Sequence, residues 1–249
     1  MHDLTVTVVV LQPGYLPWLG FFDQVFKSDT FVILDDVQYD KHGWRNRNRI
    51  KTGQGIQWLT VPVLTIGKNK QIIRDVVIDT KTKWQKKHLK GIEQNYKKAP
   101  FFKDYFGIFE GILSKEWKYL IDLDMEFIYR LADFLGLKRK IIFASDPQLK
   151  TLGTGLNIKA DKTERLVNIC LMLNASKYLT GDAAKEYIVE SDFAKNNIQI
   201  EFHNYRHPIY KQLYGEFIPF LSVIDLLFNH GQESLEILSG QKVVTSSFL

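Results

Sequence analysis

Two adjacent acids followed by an arginine and asparagine run are the residues of this sequence best suited to chemistry. Asp35 and Asp36 end the apolar segment FVILDD, and residues 44–49 read WRNRNR. A carboxylate at the end of a strand can act as a general base, bind a ribose or hold a metal ion. Guanidinium groups offer paired donors to phosphate, and amides can bind hydroxyl groups. The candidate substrate-binding residues here are Gln38, Trp44, Asn46, Arg47 and Asn48. In the alternative interpretation, an acid simply pairs with an arginine and fixes the loop.

Only one of the two acids is expected to face a given cleft. Neighbouring side chains in a strand point to opposite faces. Asp36 lies nearer the end of the strand and the basic loop. We therefore predict Asp36 to be the catalytic residue, as a general base toward an amine or as the ligand of a metal ion on phosphates. Asp35 is the alternative.

A second candidate stretch is QPGYLPWLG, residues 12–20, which follows the first predicted strand. Its candidate binding residues are Gln12, Tyr15 and Trp18. Gly14 permits a close backbone approach, and the helix starting near Trp18 presents free amide groups that suit an anion. A rigid turn with Tyr15 and Trp18 in the core is the competing interpretation. We predict that this turn and the acid-bearing loop form one cleft that contains Tyr15, Asp36 and Asn46.

The C-terminal half adds Gly181, His207 and Tyr210 as candidates. Gly181 precedes a predicted helix in LTGDAAKEY and could cradle an anion or simply form a turn. His207 lies beside a proline, where it could serve as a general base or as a hydrogen-bonded structural residue. His203 and His207 are four residues apart, but the alternating sequence predicts a strand rather than a helical metal-binding pair. No metal ligand is predicted among these residues.

Strand-like and helical segments alternate along the chain, which predicts an α/β fold. The strand-like segments are residues 4–11, 31–36, 57–64, 72–78, 140–145, 177–180 and 198–205. We predict a three-layer, mostly parallel sheet of Rossmann-like type in a single domain of residues 1–249, with an inserted helical subregion at about 82–135. Residues 57–64 and 72–78 are expected to pair as a hairpin. A glycine-bearing loop is expected before a helix capped by Asp161. P-loop and GxGxxG patterns are absent from the sequence.

Charge and composition indicate a cytoplasmic protein that binds an anionic ligand. The net charge is +5, and residues 41–51 carry five Lys or Arg and no acid. A nucleotide or sugar pyrophosphate would match this charge with fewer contacts than nucleic acid. No apolar run reaches the roughly 20 residues that cross a membrane. The single cysteine, Cys170, is expected in the core of a protein from a reducing compartment.

Several stretches together resemble the WbqC-like protein family over nearly the whole chain. They are QPGYLPWLGFF, DDVQYDKHGWRNRNRIK, KTERLVNIC, YLTGDAAKEY, HPIYKQ and FLSVIDLLFNHG, in that order. The family is tied to bacterial O-antigen gene clusters, and a glycine transferase role has been suggested for its members. The resemblance implies a transferase of lipopolysaccharide biosynthesis that moves an acyl or aminoacyl group to the amino sugar of a nucleotide-sugar. It also implies binding roles for the candidates between Gln12 and Asn48.

The sequence is also compatible with other functions. By analogy with the nucleotidyltransferase superfamily that includes pantothenate synthetase, ATP would activate an amino acid as an acyl-adenylate. Otherwise the acyl group must arrive already activated. A nucleotidyl- or glycosyl-transferring enzyme would need a divalent metal at Asp35 or Asp36. A nucleic-acid-binding protein would explain the lysine-rich residues 81–103, although a solvated helix face explains them more simply.

Overall fold

A computed structural model of the protein describes residues 5–67, 70–147, 149 and 161–241. The glycine-bearing loop predicted at 151–160 lies outside these described residues. Contacts divide the chain into two compact units. The first unit comprises residues 1–12, 24–37 and 139–206, and the second comprises 13–23, 38–138 and 207–249.

Seven strands and eight α-helices are assigned within the described residues. The strands are β1 (Thr7–Leu11), β2 (Thr30–Ile33), β3 (Arg47–Thr52), β4 (Gly55–Thr60), β5 (Lys140–Phe143), β6 (Lys177–Thr180) and β7 (Gln199–Phe202). The helices are α1 (Leu19–Lys27), α2 (Trp84–Tyr96), α3 (Phe102–Leu113), α4 (Leu120–Phe134), α5 (Lys162–Met172), α6 (Glu190–Ala194), α7 (Val223–His230) and α8 (Ser234–Ser239). None of the described helices is long and apolar enough to cross a membrane.

The first unit is built on a parallel sheet of five strands in the order β5-β2-β1-β6-β7. This confirms the predicted α/β class and the mostly parallel, Rossmann-like sheet. The chain adds β2 and β5 on one side of β1 and then returns to add β6 and β7 on the other. The direction of winding therefore reverses between β1 and β6, and ligands bind at such reversals in open α/β sheets.

One face of this sheet packs against α5 and α6. Val8, Val10 and Val32 are almost fully buried there with Cys170 of α5 and Phe193 of α6. Cys170 is the predicted small core residue, with none of its surface exposed. The β-branched residues Val8 and Val10 of the central strand thus form part of this core.

Helix α5 begins where the sequence predicted. The Asp161 side chain accepts a hydrogen bond from the Glu164 backbone N–H at 2.8 Å. Such a cap satisfies one of the amides that have no partner within the helix. It fixes the first turn of α5, which also carries Arg165.

The second unit contains a hairpin that differs from the predicted one. β4 pairs in antiparallel fashion with β3, and the hairpin expected between 57–64 and 72–78 forms only in small part. Residues 73–75 form a 3-10 turn instead, and a single bridge joins Val63 to Ile78. The charge of RNRIKT indicated a loop, although its residues alternate between half-buried and buried positions as in a strand.

Helices α2, α3 and α4 occupy the predicted helical subregion, and α7 packs with them. Gly136 follows α4 with a φ of 70°, which is the left-handed conformation that favours glycine at a helix end. Phe109, Phe127 and Phe228 form the aromatic centre of this bundle, with ring centroids 5.7 and 5.5 Å apart. Helix α7 begins at Val223, and the Ser222 side chain caps it by accepting from the Ile224 backbone N–H.

Candidate functional site

Most of the polar candidates of the first unit lie at one edge of its sheet. Since all five strands are parallel, their carboxyl ends share that edge. The residues that follow the strands there are Gln12 after β1, Asp35 and Asp36 after β2, Ser145 after β5, Gly181 after β6 and His203 after β7. We call this region the carboxyl edge. It brings together Gln12, Asp35, Asp36 and Gly181 of the predicted site.

Asp35 connects two strands at the carboxyl edge. Its side chain is buried and accepts hydrogen bonds from the Ser145 backbone N–H at 3.0 Å and from the Ser145 hydroxyl at 2.5 Å. Each carboxylate oxygen therefore has a partner on the segment after β5. The arrangement fixes the end of β2 relative to the end of β5.

Asp36 is more accessible and forms an ion pair with Arg165 in the first turn of α5. The side chains of Asp36 and Arg165 are 17% and 34% exposed. The expected alternative partner was an arginine of the 45–49 loop, so Arg165 is a residue that the sequence interpretation missed. The one sequence feature that pointed to Arg165 was its position in the capped helix turn that begins at Asp161. A guanidinium group has five N–H donors, so pairing with Asp36 leaves others for an anionic ligand.

Gly181 begins the 3-10 turn of residues 182–186. Its φ is −71°, and a Cβ added at this position would meet no atom of the described residues within 4 Å. Neither the backbone conformation nor crowding by the described residues therefore demands glycine here. Next to it, Lys185 donates to Asp182 at 2.7 Å, and this hydrogen bond lowers the pKa of the Asp182 carboxyl.

In the second unit, the 13–17 turn lies against the segment that leads into β3. The Tyr15 backbone N–H donates to the Arg45 carbonyl at 2.9 Å, and the Asn48 amide donates to the Leu16 carbonyl at 2.7 Å. A Cβ at Gly14 would lie 2.9 Å from the Trp44 carbonyl oxygen. The glycine therefore serves a close approach between two protein segments.

Tyr15 and Asn46 are buried and have internal partners. The Tyr15 hydroxyl lies 2.9 Å from His88 Nδ1. The Asn46 amide donates to the Val61 carbonyl at 2.8 Å. Burial lowers the pKa of His88 to about 4, so its ring is neutral at pH 7 and shares one hydrogen bond with the Tyr15 hydroxyl. Both candidates hold the fold of the second unit together.

His207 and Tyr210 lie beside Trp18 in an aromatic group of the second unit. The ring centroid of His207 is 6.5 Å from Trp18 and 6.2 Å from Tyr210. Since a carbonyl only accepts, His207 Nδ1 donates its hydrogen to Pro208 O at 2.8 Å, and burial lowers the pKa of the ring. The buried Tyr210 hydroxyl donates to Asp225 at 2.9 Å. Asp225 also accepts from Tyr96 at 2.8 Å.

Trp44, Arg47 and Gln38 reach the surface of the second unit. Trp44 is 45% exposed, and Arg47 donates to the carbonyls of His42 and Gly43. Gln38 lines a cleft of about 450 Å³. The other residues of this cleft are Tyr39, Asp40, Lys41, His42, Lys70 and Gln71.

A buried carboxyl group in the second unit was not predicted. Asp124 of α4 is 1% exposed, and burial raises its pKa well above the usual range, with Arg45 as the opposing positive charge. Burial of Asp124 could have been predicted, because this residue lies among apolar residues on a helix in LIDLDMEFI. In the part of the chain that the structure describes, no group of three or more His, Cys, Asp or Glu side chains could hold a metal ion.

Comparisons with known proteins agree with the sequence resemblance. The model described as "WbqC-like protein family" matches residues 12–237. The "Uncharacterized protein Rv1507c" of Mycobacterium tuberculosis (strain ATCC 25618 / H37Rv) is 38% identical over 234 residues, which cover 93% of this chain and 96% of that protein. No solved structure matches the chain.

Proposed function

This chain belongs to the WbqC-like protein family, and from that premise we propose that it is a transferase acting at the carboxyl edge of its parallel sheet. The reaction we propose is transfer of an acyl or aminoacyl group, such as glycyl, to the amino sugar of a nucleotide-sugar. The product would serve bacterial surface-polysaccharide synthesis. A cytoplasmic location fits the single cysteine, which has no partner for a disulfide in this chain.

The observation that carries the proposal is the Asp36–Arg165 pair at the edge where an open α/β sheet binds its ligands. The guanidinium group holds Asp36 in place. A charged carboxylate can accept a proton, and the remaining guanidinium donors can bind an anionic group of the substrate. Asp35 is less available to a substrate, because each of its carboxylate oxygens accepts a hydrogen bond from Ser145.

The chemistry requires one bond to form and one to break. The neutral sugar amine attacks the acyl carbon, and the new C–N bond replaces the bond from that carbon to the leaving group. The amine loses a proton to the Asp36 carboxylate as the bond forms. The leaving group departs with the electron pair, as AMP from an acyl-adenylate or as the carrier of an already activated acyl group.

The direct test is a transfer assay with purified protein. UDP-linked amino sugars are incubated with glycine and other amino acids, with and without ATP and Mg²⁺, and with activated acyl donors. Mass spectrometry then detects a product heavier by one acyl group. Product that requires ATP, together with AMP release, identifies the adenylate route, and product from the activated donor alone identifies the carrier route. Absence of acylated sugar with every donor would contradict the proposal.

Two variants show whether the product arises at the carboxyl edge. Arg165→Gln is expected to reduce kcat/KM about tenfold or more, because a charge-assisted contact contributes about 1.5–3 kcal/mol. Lys195→Gln is the matched control, since it removes an exposed cation that pairs with Asp192 at 2.8 Å in the same unit. Equal loss in both variants would mean that Arg165 has no specific role.

A further inference from the structure

Two tryptophans and two arginines form one exposed surface on the second unit. Trp44 and Trp58 are each 45% exposed, with ring centroids 5.2 Å apart. The Arg47 guanidinium lies 4.9 Å from the Trp58 ring, and the Arg49 guanidinium lies 5.2 Å from the Trp44 ring and 5.7 Å from the Trp58 ring. We call these four residues the guanidinium–indole face. Indoles lose favourable burial when they lie in solvent, so two adjacent exposed tryptophans indicate a binding surface.

The hairpin sets the arrangement of this face. In the register of β3 with β4, Arg49 is opposite Trp58 and Arg47 is opposite Thr60. Residues two apart in a strand point to the same side, about 7 Å apart along the strand. Both guanidinium groups therefore flank the Trp58 ring from the neighbouring strand. Trp44, which precedes β3, completes the face.

Backbone carbonyls hold the two arginines in place. Arg47 donates to His42 O at 2.6 Å and to Gly43 O at 3.2 Å, and Arg49 donates to Phe220 O at 2.8 Å. Among the described residues no carboxylate forms an ion pair with either side chain. Carbonyl groups fix an arginine without cancelling its charge. The face is therefore ordered, positive and aromatic before any ligand binds.

The positive part of the face is short. Lys51 continues the same row of β3, but its side chain is buried and its ammonium group donates to Gln212 Oε1 at 3.1 Å and Glu216 O at 2.5 Å. The row of accessible cations thus ends after two arginines. This length suits one pair of phosphates and is too short to follow the backbone of a nucleic-acid strand, which proteins bind along an extended positive groove.

We propose that the guanidinium–indole face binds a nucleoside diphosphate group. The base stacks on the exposed indole surface of Trp44 and Trp58, and the phosphates accept hydrogen bonds from Arg47 and Arg49. Base stacking on aromatic side chains and paired guanidinium–phosphate contacts are the interactions that these four side chains can provide. The group is shared by adenine nucleotides and by nucleotide-sugars. The proposal concerns binding and stands independently of the transfer reaction.

The test is a titration monitored by tryptophan fluorescence, since a base stacked on an indole quenches its emission. The probes are ADP, UDP, a UDP-linked sugar, pyrophosphate and a short single-stranded oligonucleotide, all at one salt concentration. Saturable quenching by ADP or UDP, with weaker binding of pyrophosphate, is expected. A preference for ADP would identify a free nucleotide as the source, and a preference for the UDP-linked sugar would identify a nucleotide-sugar. Tighter binding of the oligonucleotide than of any nucleotide would overturn the proposal.

Variants assign the binding to the face, with isothermal calorimetry as the readout where a tryptophan is removed. Arg47→Gln is expected to weaken the binding of both UDP and pyrophosphate by about tenfold or more. Trp58→Ala is expected to weaken UDP binding about fivefold or more, because base stacking is lost, while pyrophosphate binding is kept. Trp58→Phe should restore most of the affinity, because it restores an aromatic ring. Trp117→Phe is the control, because Trp117 also lies near a cation, with Lys115 5.7 Å from its ring.

The results separate this proposal from the transfer reaction. UDP affinity that is unchanged in Arg47→Gln and Trp58→Ala would overturn the binding face, whatever the transfer assay gives. UDP affinity that falls in both, while no acyl transfer is found with any donor, would retain the face and reject the reaction. Circular dichroism and melting temperature confirm that each variant is folded.

Discussion

Asp36 and Arg165 form an ion pair at the carboxyl edge, although 129 residues separate them in the sequence. One follows strand β2, and the other lies in the first turn of α5. The chain thus builds its candidate catalytic pair from two distant segments. Asp35, the neighbour of Asp36, is committed to Ser145. The two adjacent acids therefore have different surroundings.

Asp36→Asn is expected to lower turnover, whereas Asp35→Asn is expected to lower stability. Asp36→Asn keeps the side-chain size but removes the base, so turnover should fall by about 10² or more with little loss of stability. Asp35→Asn replaces a buried acceptor of two hydrogen bonds, and the free energy of unfolding should fall by about 1–3 kcal/mol. The measurements are acyl transfer and urea unfolding. If Asp36→Asn kept normal turnover while Asp35→Asn was stable but inactive, Asp35 rather than Asp36 would be the catalytic residue.

Asn48→Ala should destabilise the protein without removing any charge. The Asn48 amide donates to Leu16 O, and its carbonyl accepts from the Arg49 N–H at 2.8 Å. Truncation leaves buried backbone groups without partners, at a cost of about 1–3 kcal/mol in unfolding free energy. Asn196→Ala is the control, because Asn196 is exposed and its amide donates to Asp192 O at 2.8 Å. Similar midpoints for the two variants would show that the contact to the 13–17 turn contributes little.

His88 should make the protein less stable in mild acid. Burial lowers the pKa of His88 to about 4, below its usual value of 6.5. The unfolded chain therefore takes up a proton before the folded protein does. Stability from this group is fully present above pH ~6.5 and falls as the pH decreases toward ~4, by up to about 3 kcal/mol. Urea unfolding at a series of pH values measures this loss.

A variant isolates the histidine contribution to this acid sensitivity. His88→Gln does not titrate, so its unfolding free energy should depend less on pH between ~4 and ~6.5 than that of the parent protein. His42→Gln, at an exposed position, should follow the parent curve. Parallel curves for the parent and His88→Gln would assign the acid sensitivity to other groups.

Cys170 should be unreactive in the folded protein. None of its surface is exposed, and burial raises the pKa of its thiol to about 12. Because the thiolate is the reactive form, a thiol reagent should label the protein only after denaturation. Ellman's reagent with and without guanidinium chloride measures this, and the single cysteine sets one equivalent as the full reaction. Rapid labelling without denaturant would contradict the packing of α5 on the sheet.

Much of the fold was predictable because its signals are local. The apolar run of β1, the Asp161 cap and Gly136 each act through neighbouring residues or backbone conformation. Strand β3 was missed because its arginines and asparagines suggested a loop. Its pairing with β4 compensates for weak strand propensity, which is a tertiary effect.

The candidate site was predictable only in part, because a pattern gives residue types but no partners. The sequence drew attention to Asp36 but could not show that Arg165 pairs with it. It also favoured Tyr15 and Asn46 as binding residues, whereas both have internal hydrogen bonds. Polar residues in a dense motif can form hydrogen bonds within a turn as readily as they bind a ligand. The single cleft containing Tyr15, Asp36 and Asn46 stays a prediction.

The strand order has a consequence for synthesis on the ribosome. Val8 of β1 pairs with Tyr178 of β6, so this central strand must wait for a partner made about 170 residues later. At a translation rate of about 5–20 residues per second, that interval is on the order of ten seconds or more. During it, one edge of an apolar strand has no neighbour, and such edges promote aggregation. We therefore expect this edge of β1 to stay unpaired in the nascent chain until the second half of the sheet emerges.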